Sequence, residues 1–230
     1  MTTEPFISAH KDPEGESPWA LQCVVEETAD FNEQELARAL SVAVLNFLDA
    51  AKDNPEWSAA VDRWKQGRIR KILRRARNSR WAKLEDEQGI TTVANGIAVR
   101  VFVPSAMDAI PANIRKCQVS GLNVNPRASL GEPQGSLIVN INSALEMSPA
   151  KAAVACAHVA QLMSEKMSPE VYQLWKQSGF SLGIDYLDVA LFNEEHAPSD
   201  IDAVADVVVH DGGLTEVEPG SVTAVGFWNY

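Results

Sequence analysis

Leu145–Ala160 reads LEMSPAKAAVACAHVA, and how this stretch folds decides how the rest of the chain is read. Ser148-Pro149 is a helix start. A serine at the cap accepts from free N–H groups of the first turn, and proline fits there because its missing N–H is not needed. The alanine-rich run that follows predicts a helix over 150–166, with a shorter one over Pro169–Gln177. Ser136–Ile141, just upstream, is apolar and β-branched like a strand. Leu187–Phe192, Val207–His210 and Val222–Phe227 carry the same signature further on. Strands that alternate with helices indicate an α/β fold.

Upstream of this unit the pattern is similar. Trp19–Val25 reads as a strand, and Asn32 with Glu35 as a capping pair. Leu36, Leu40, Ala43, Val44, Phe47 and Leu48 make a helical stripe. Asn54-Pro55 opens what reads as one long helix, with Val61, Trp64, Ile69, Ile72, Leu73 and Ala76 on its buried face. Ile97–Val103 reads as a strand, Met107–Lys116 as a short helix and Val119–Val124 as a strand. Asn125–Gly135, rich in Pro, Gly and Ser, reads as a connection. The expected organisation is a disordered tail over 1–17, an N-terminal α/β domain over 18–134 and a second domain over 135–230.

A weak internal repeat runs beneath this. At an offset of 116, Val25–Val42 overlays Ile141–His158 without gaps. Trp64-Lys65-Gln66 recurs as Trp175-Lys176-Gln177, and Gly135-Ser136 as Gly220-Ser221. The N-terminal half is therefore a candidate diverged duplicate. Glu35 then stands at the place of Lys151, Val42 at that of His158 and Pro126 at that of Asp211. One difficulty stands against it: Ser136–Ile141 would have to end one copy and begin the next.

Charge is uneven. The chain carries −11 overall, yet residues 63–83 hold ten of its twenty Lys and Arg and no acid, leaving ten cations against 31 acids elsewhere, a net of −21. Such a stripe can steer a polyanion. Arg68, Arg70, Lys71, Arg74, Arg75, Arg77 and Arg80 are the candidate nucleic-acid contacts, with Trp64 or Trp81 available for stacking. The bland alternative is a solvated face with its tryptophans in the core. Cys23, Cys117 and Cys156 share no short spacing, so neither a disulfide framework nor a zinc site is expected, and a reducing, cytoplasmic setting is. The first residues lack the basic flank and apolar run of a secretory signal, and no stretch is long and apolar enough to span a membrane.

Three residues stand out for chemistry. Lys151 sits in the first turn of its helix, where the dipole disfavours a cation, so an anion to meet would explain it. Asp211 ends the apolar strand before Gly212-Gly213, the place where α/β sheets gather ligands. His158 lies two turns beyond Lys151 on the same helical face. Each also has an ordinary reading: a solvated lysine, a turn aspartate, a packed histidine. A metal site built from His158, His210 and Asp211 lacks any recognised ligand spacing.

Taken together, residues 136–230 resemble the archaeal and eukaryotic-type (class II) peptidyl-tRNA hydrolases. The helix-opening motif of that family is matched at Met147, Lys151, Ala153, Cys156 and His158. Its last motif is matched in HDGGLTEVEPGSVT at Asp211, Gly213, Thr215, Pro219, Gly220, Ser221 and Thr223. The resemblance implies a mixed-sheet three-layer domain and hydrolysis of the ester that joins a peptide to the 3′ end of tRNA, with no metal or organic cofactor. It implies active-site roles for Lys151, Asp211, Thr215 and Thr223, with His158 matching a family histidine. The chain departs from the pattern at Pro149, Ala155, Asn142, Glu146 and Leu214, where the family carries basic or amide side chains. A non-catalytic binder of tRNA ends or of a protein, and a hydrolase of some other small ester, are the competing readings. Because the family often pairs as dimers, an internal pseudo-dimer or a homodimer is expected.

Overall fold

The computed structural model describes residues 12–27, 31–125, 134–187 and 205–229. In chain order it runs β1 (Trp19–Glu26), α1 (Glu33–Ala51), α2 (Pro55–Gln66), β2 (Arg70–Ala76), α3 (Ser79–Ala82), β3 (Gly89–Ala94), β4 (Ile97–Phe102), β5 (Ser105–Ala106) and α4 (Ala112–Arg115). It continues with β6 (Leu137–Asn142), α5 (Pro149–Lys166), α6 (Pro169–Gln177), β7 (Leu182–Leu187), β8 (Val207–His210) and β9 (Val222–Trp228).

The strands form two mixed sheets of one topology. The first has the order β2-β1-β4-β3, with β5 added beside β1, and the second β7-β6-β9-β8. In each, the first two strands are parallel and the other pairs antiparallel. The registers coincide as well. Cys23 pairs with Leu73 and Val101, while Val139, 116 residues on, pairs with Ile184 and Gly226. The helix-to-strand turn repeats down to one hydrogen bond. The Trp64 indole donates to the Arg70 carbonyl at 2.8 Å, and the Trp175 indole to the Ser181 carbonyl at 3.0 Å.

Capping follows the sequence signals. Asn32 and Glu35 form a reciprocal capping box on α1. Asn54, Ser148 and Ser168 each accept from the first turn of a helix with proline at its start. Helices α1 and α5 lie against each other between the sheets. α1 packs on β3 and β4 and reaches β7; α5 packs on β6, β8 and β9 and reaches β2. Small side chains allow the close approach, and Ser41 Oγ lies 3.3 Å from Cys156 Sγ at the contact. One hydrophobic core therefore spans both units. A smaller one, with Ile110, Ile114 and Cys117, covers the other face of the first sheet.

Several expectations need correction. The long helix predicted from Asn54 stops at Gln66. Gly67 takes an extended conformation, and Arg70–Ala76 leaves helical geometry to pair with β1. Tertiary pairing overrides the helical spacing of Ile69, Ile72 and Leu73. Ser136–Ile141 belongs to the second sheet alone, because β4 closes the first, so the objection to a repeat falls away. The overlay of Gly135-Ser136 on Gly220-Ser221 is not kept: Ser221 precedes β9, whose counterpart is β4. Pro126 lies outside the described residues and is not the counterpart of Asp211. The tight turn at Asn95-Gly96 joins β3 to β4 where residues 211–221 join β8 to β9. No strand forms at Val119–Val124; isolated bridges flank the segment instead, Gln118 to Arg75 and Asn125 to Asn32. β3 and β7 lacked a prediction, and the predicted strand Leu187–Phe192 lies outside the described residues beyond Leu187, as do most of the 1–17 tail and of the 125–135 connection.

Candidate active site

The 211–221 loop is shaped by its own backbone. Asp211 exchanges hydrogen bonds with the far side of the loop: its N–H donates to the Ser221 carbonyl and its carbonyl accepts from Gly220 N, both at 2.8 Å. Gly213 has φ +68°, and a Cβ there would run into Pro219, so only glycine fits. Its N–H donates to Asp211 Oδ1 at 2.7 Å. Glu216 accepts from both N and Oγ of Ser148 at 2.7 Å, which fastens the loop to the N-cap of α5.

This fastening brings the first turn of α5 to the end of β8. Lys151 Nζ donates to Asp211 Oδ2 in a close ion pair, and also to Thr215 Oγ1 at 3.1 Å. Both charged side chains are mostly buried. The fold thus brings Lys151, Asp211 and Thr215, all singled out from the sequence, into one cluster. They stand at one end of a cavity of about 540 Å³ whose walls also include His158, Thr223, Val154, Val209 and, from β2 of the first unit, Lys71 and Leu73. Thr223 is buried and its hydroxyl donates to the Val209 carbonyl at 3.2 Å, so it braces the wall.

His158 points its Nδ1 at Lys71 Nζ, 2.9 Å away. Burial, with Lys71 and Lys151 adding to it, holds the imidazole well below its ordinary range and therefore neutral at pH 7. Lys71 is 7% exposed, and burial brings its ammonium down to about 7, with the charge of nearby Lys65 adding to the fall and Glu165 opposing it. Wherever Lys71 is an ammonium it can only donate, so His158 Nδ1 is then the acceptor.

The basic stretch is divided by this fold. Arg68 lines the cavity and donates to the Gly212 carbonyl at 3.2 Å. Arg70 forms a two-pronged pair with Asp12, both contacts 2.6 Å. Arg74 is buried and donates to Gln22 and the Cys117 carbonyl. Arg75 holds Glu27 at 2.6 Å and the Ser120 carbonyl, and Arg80 donates to the Lys116 carbonyl. Of the seven cations suggested as nucleic-acid contacts, Arg77 and Arg80 are exposed, while Lys71 and Arg74 face inward. Trp64 is buried, leaving Trp81 as the more accessible of the two stacking candidates.

Sequence reasoning missed that β2 contributes a wall of the site. The signal was the repeat itself: α1 reaches β7 as α5 reaches β2, and the Trp-Lys-Gln recurrence marks where each of those strands begins. No group of three or more His, Cys, Asp and Glu among the described residues is arranged to hold a metal ion. No helix among the described residues is long and apolar enough to cross a membrane. Compared with protein-family models and with curated proteins, the chain finds no match.

Proposed function

We propose that the protein hydrolyses the ester of a peptidyl-tRNA or a related N-blocked aminoacyl ester at the Lys151–Asp211 end of the cavity. The observation that carries this reading is the hydrogen-bonded set Lys151–Asp211–Thr215 at the mouth of a largely apolar hollow, formed by residues that share the motifs of class II peptidyl-tRNA hydrolases. The same resemblance reads the two units as diverged copies forming an internal pseudo-dimer, of which the second alone kept the lysine, aspartate and threonine.

The chemistry follows from where the donors point. Asp211 aligns a water molecule and takes its proton as the water oxygen attacks the acyl carbon. Lys151, with one N–H left over from Asp211 and Thr215, offsets the negative charge that develops on the carbonyl oxygen, and the N-terminus of α5 adds to that field. The ester C–O bond then breaks, and the proton passes to the departing 3′ oxygen of the ribose. Carboxylic acid and free 3′ hydroxyl are the products. Thr215 accepts from Lys151, so its own O–H remains to hold water or ribose. Exposed Arg77 and Arg80 are the cations left to meet tRNA phosphates.

A second reading, hydrolysis of a small acyl ester without tRNA, is favoured by the internal use of Arg70, Arg74 and Arg75. Comparing turnover of labelled N-acetyl-aminoacyl-tRNA with that of the same N-acetyl-aminoacyl group on adenosine separates the two. The tRNA reading expects strong preference for the full tRNA, lost on raising salt. Equal rates on both esters favour the small-ester reading, and no turnover of either contradicts both.

A further inference from the structure

We propose that the inner end of the cavity is a binding site for a small amphipathic carboxylate, its charged group received by Lys71 and His158 and its apolar body by the surrounding aliphatic walls. This goes beyond ester hydrolysis, because it concerns the end of the cavity that the proposed reaction does not use. His158 lies seven residues from Lys151 along α5, which sets the two ends roughly 10 Å apart at about 1.5 Å of rise per residue.

Charge at this end of the cavity is unbalanced. Lys71 is buried, lines the cavity and has one hydrogen-bonding partner nearby, the neutral Nδ1 of His158 at 2.9 Å. The face of the Trp64 ring lies 5.2 Å from its Nζ. Among the described residues no carboxylate forms an ion pair with it. The acid that influences it, Glu165 of α5, is committed to Lys65 of α2 at 2.6 Å. Cys23 on the adjoining strand β1 is pushed up to about 12 by burial, so its thiol is neutral and supplies no counter-charge. At the other end of the cavity Lys151 and Asp211 cancel. A buried ammonium that lacks a balancing charge is costly, and a ligand that supplies one recovers that cost.

The walls narrow the class. Ile69, Leu73, Val154 and Val209 line the same cavity, and its volume of about 540 Å³ suits a small organic ligand rather than a bare ion. Arg68, the other cation of the lining without a carboxylate contact among the described residues, is only half-buried and donates to the Gly212 carbonyl, so one buried cation, Lys71, is left to balance, which matches a carboxylate. A phosphate dianion would give up far more hydration than one buried cation returns. Two N–H groups of Lys71 remain once one is given to His158, enough to meet both oxygens of a carboxylate.

Calorimetric titration of the full chain with octanoate, its neutral analogue octanamide and inorganic phosphate tests this, and is read without any turnover, so its failure leaves the hydrolase reading untouched. Octanoate is expected to bind at least tenfold more tightly than either comparator. Its affinity should fall about tenfold per pH unit above about pH 7 as Lys71 loses its proton, with proton uptake on binding near pH 8. Lys71→Met should lose the preference for octanoate over octanamide. Lys71→Arg, which keeps the charge at every accessible pH, should retain it and lose the pH dependence. Equal affinity for octanoate and octanamide, phosphate binding as tight as octanoate, or unchanged octanoate binding by Lys71→Met would each overturn the proposal.

Discussion

Lys71 shows how a single side chain can change meaning between sequence and structure. Within RIRKILRRAR it reads as one more surface cation, yet β2 turns it inward against His158. The inversion has a thermodynamic signature. The unfolded chain holds the Lys71 proton up to its ordinary pKa of 10.5, whereas the folded chain releases it at about 7. Between those values the unfolded state binds more protons, so folding stability rises with pH. Urea unfolding of the wild type should therefore gain on the order of 2 kcal/mol relative to Lys71→Met between about pH 7 and pH 9. Parallel pH profiles of the two proteins would show that Lys71 is not buried as described. His158 acts with the same sign at lower pH: its depressed imidazole makes the fold lose stability as pH falls from 6.5 toward its folded value. By contrast Lys151 and Asp211 were legible in sequence, because local signals mark them: a capped helix start and the end of an apolar strand before a glycine pair. Thr215 was marked by the family resemblance alone.

At the level of elements, legibility followed the range of the forces. β1, α1, α5, α6, β8 and β9 announce themselves through caps and local apolar spacing. β2 does not, because its identity comes from parallel pairing with β1, a partner some fifty residues away in sequence. β3 escaped for a related reason: Thr91 and Thr92 blur its apolar pattern, and pairing with β4 is what defines it. In the proposed hydrolysis the 211–221 loop positions the reacting carboxylate, and two of its residues put that to the test. Glu216→Ala frees the loop from the N-cap of α5. Ester hydrolysis should fall several-fold while thermal unfolding shifts little, since Glu216 is exposed and a hydrogen bond contributes only on the order of 1 kcal/mol net. Gly213→Ala should do more harm to activity. It forces a Cβ into Pro219 and disfavours the positive φ that lets the Gly213 N–H reach Asp211. An activity equal to wild type in Gly213→Ala would show that the carboxylate does not depend on this turn.

For the molecule as a whole, the repeated topology matters more than either unit alone. The two sheets share strand order, register and the tryptophan bond that ends a helix at each second strand. The sequence held traces of this in its offset matches, but the tight Asn95-Gly96 turn in one unit and the long loop in the other broke the alignment beyond them. Each unit lends its second strand to the helix of the other, so the cavity exists only where both meet. A shared core of this kind should melt as one body. Circular dichroism and tryptophan fluorescence are expected to report coincident urea transitions; two resolved transitions would mean that the units fold independently. Ser41→Leu, which overfills the α1–α5 contact beside Cys156, should destabilise both units together by about 1–3 kcal/mol.

The proposed hydrolysis depends on the Asp211 carboxylate taking the proton of the attacking water. The direct measurement is the rate of release of labelled N-acetyl-amino acid from tRNA by the wild type and by Asp211→Asn, with circular dichroism confirming that both are folded. Wild-type turnover with a loss of about 10²–10⁴-fold in the variant is the predicted result. Undiminished hydrolysis by a folded Asp211→Asn protein would contradict it.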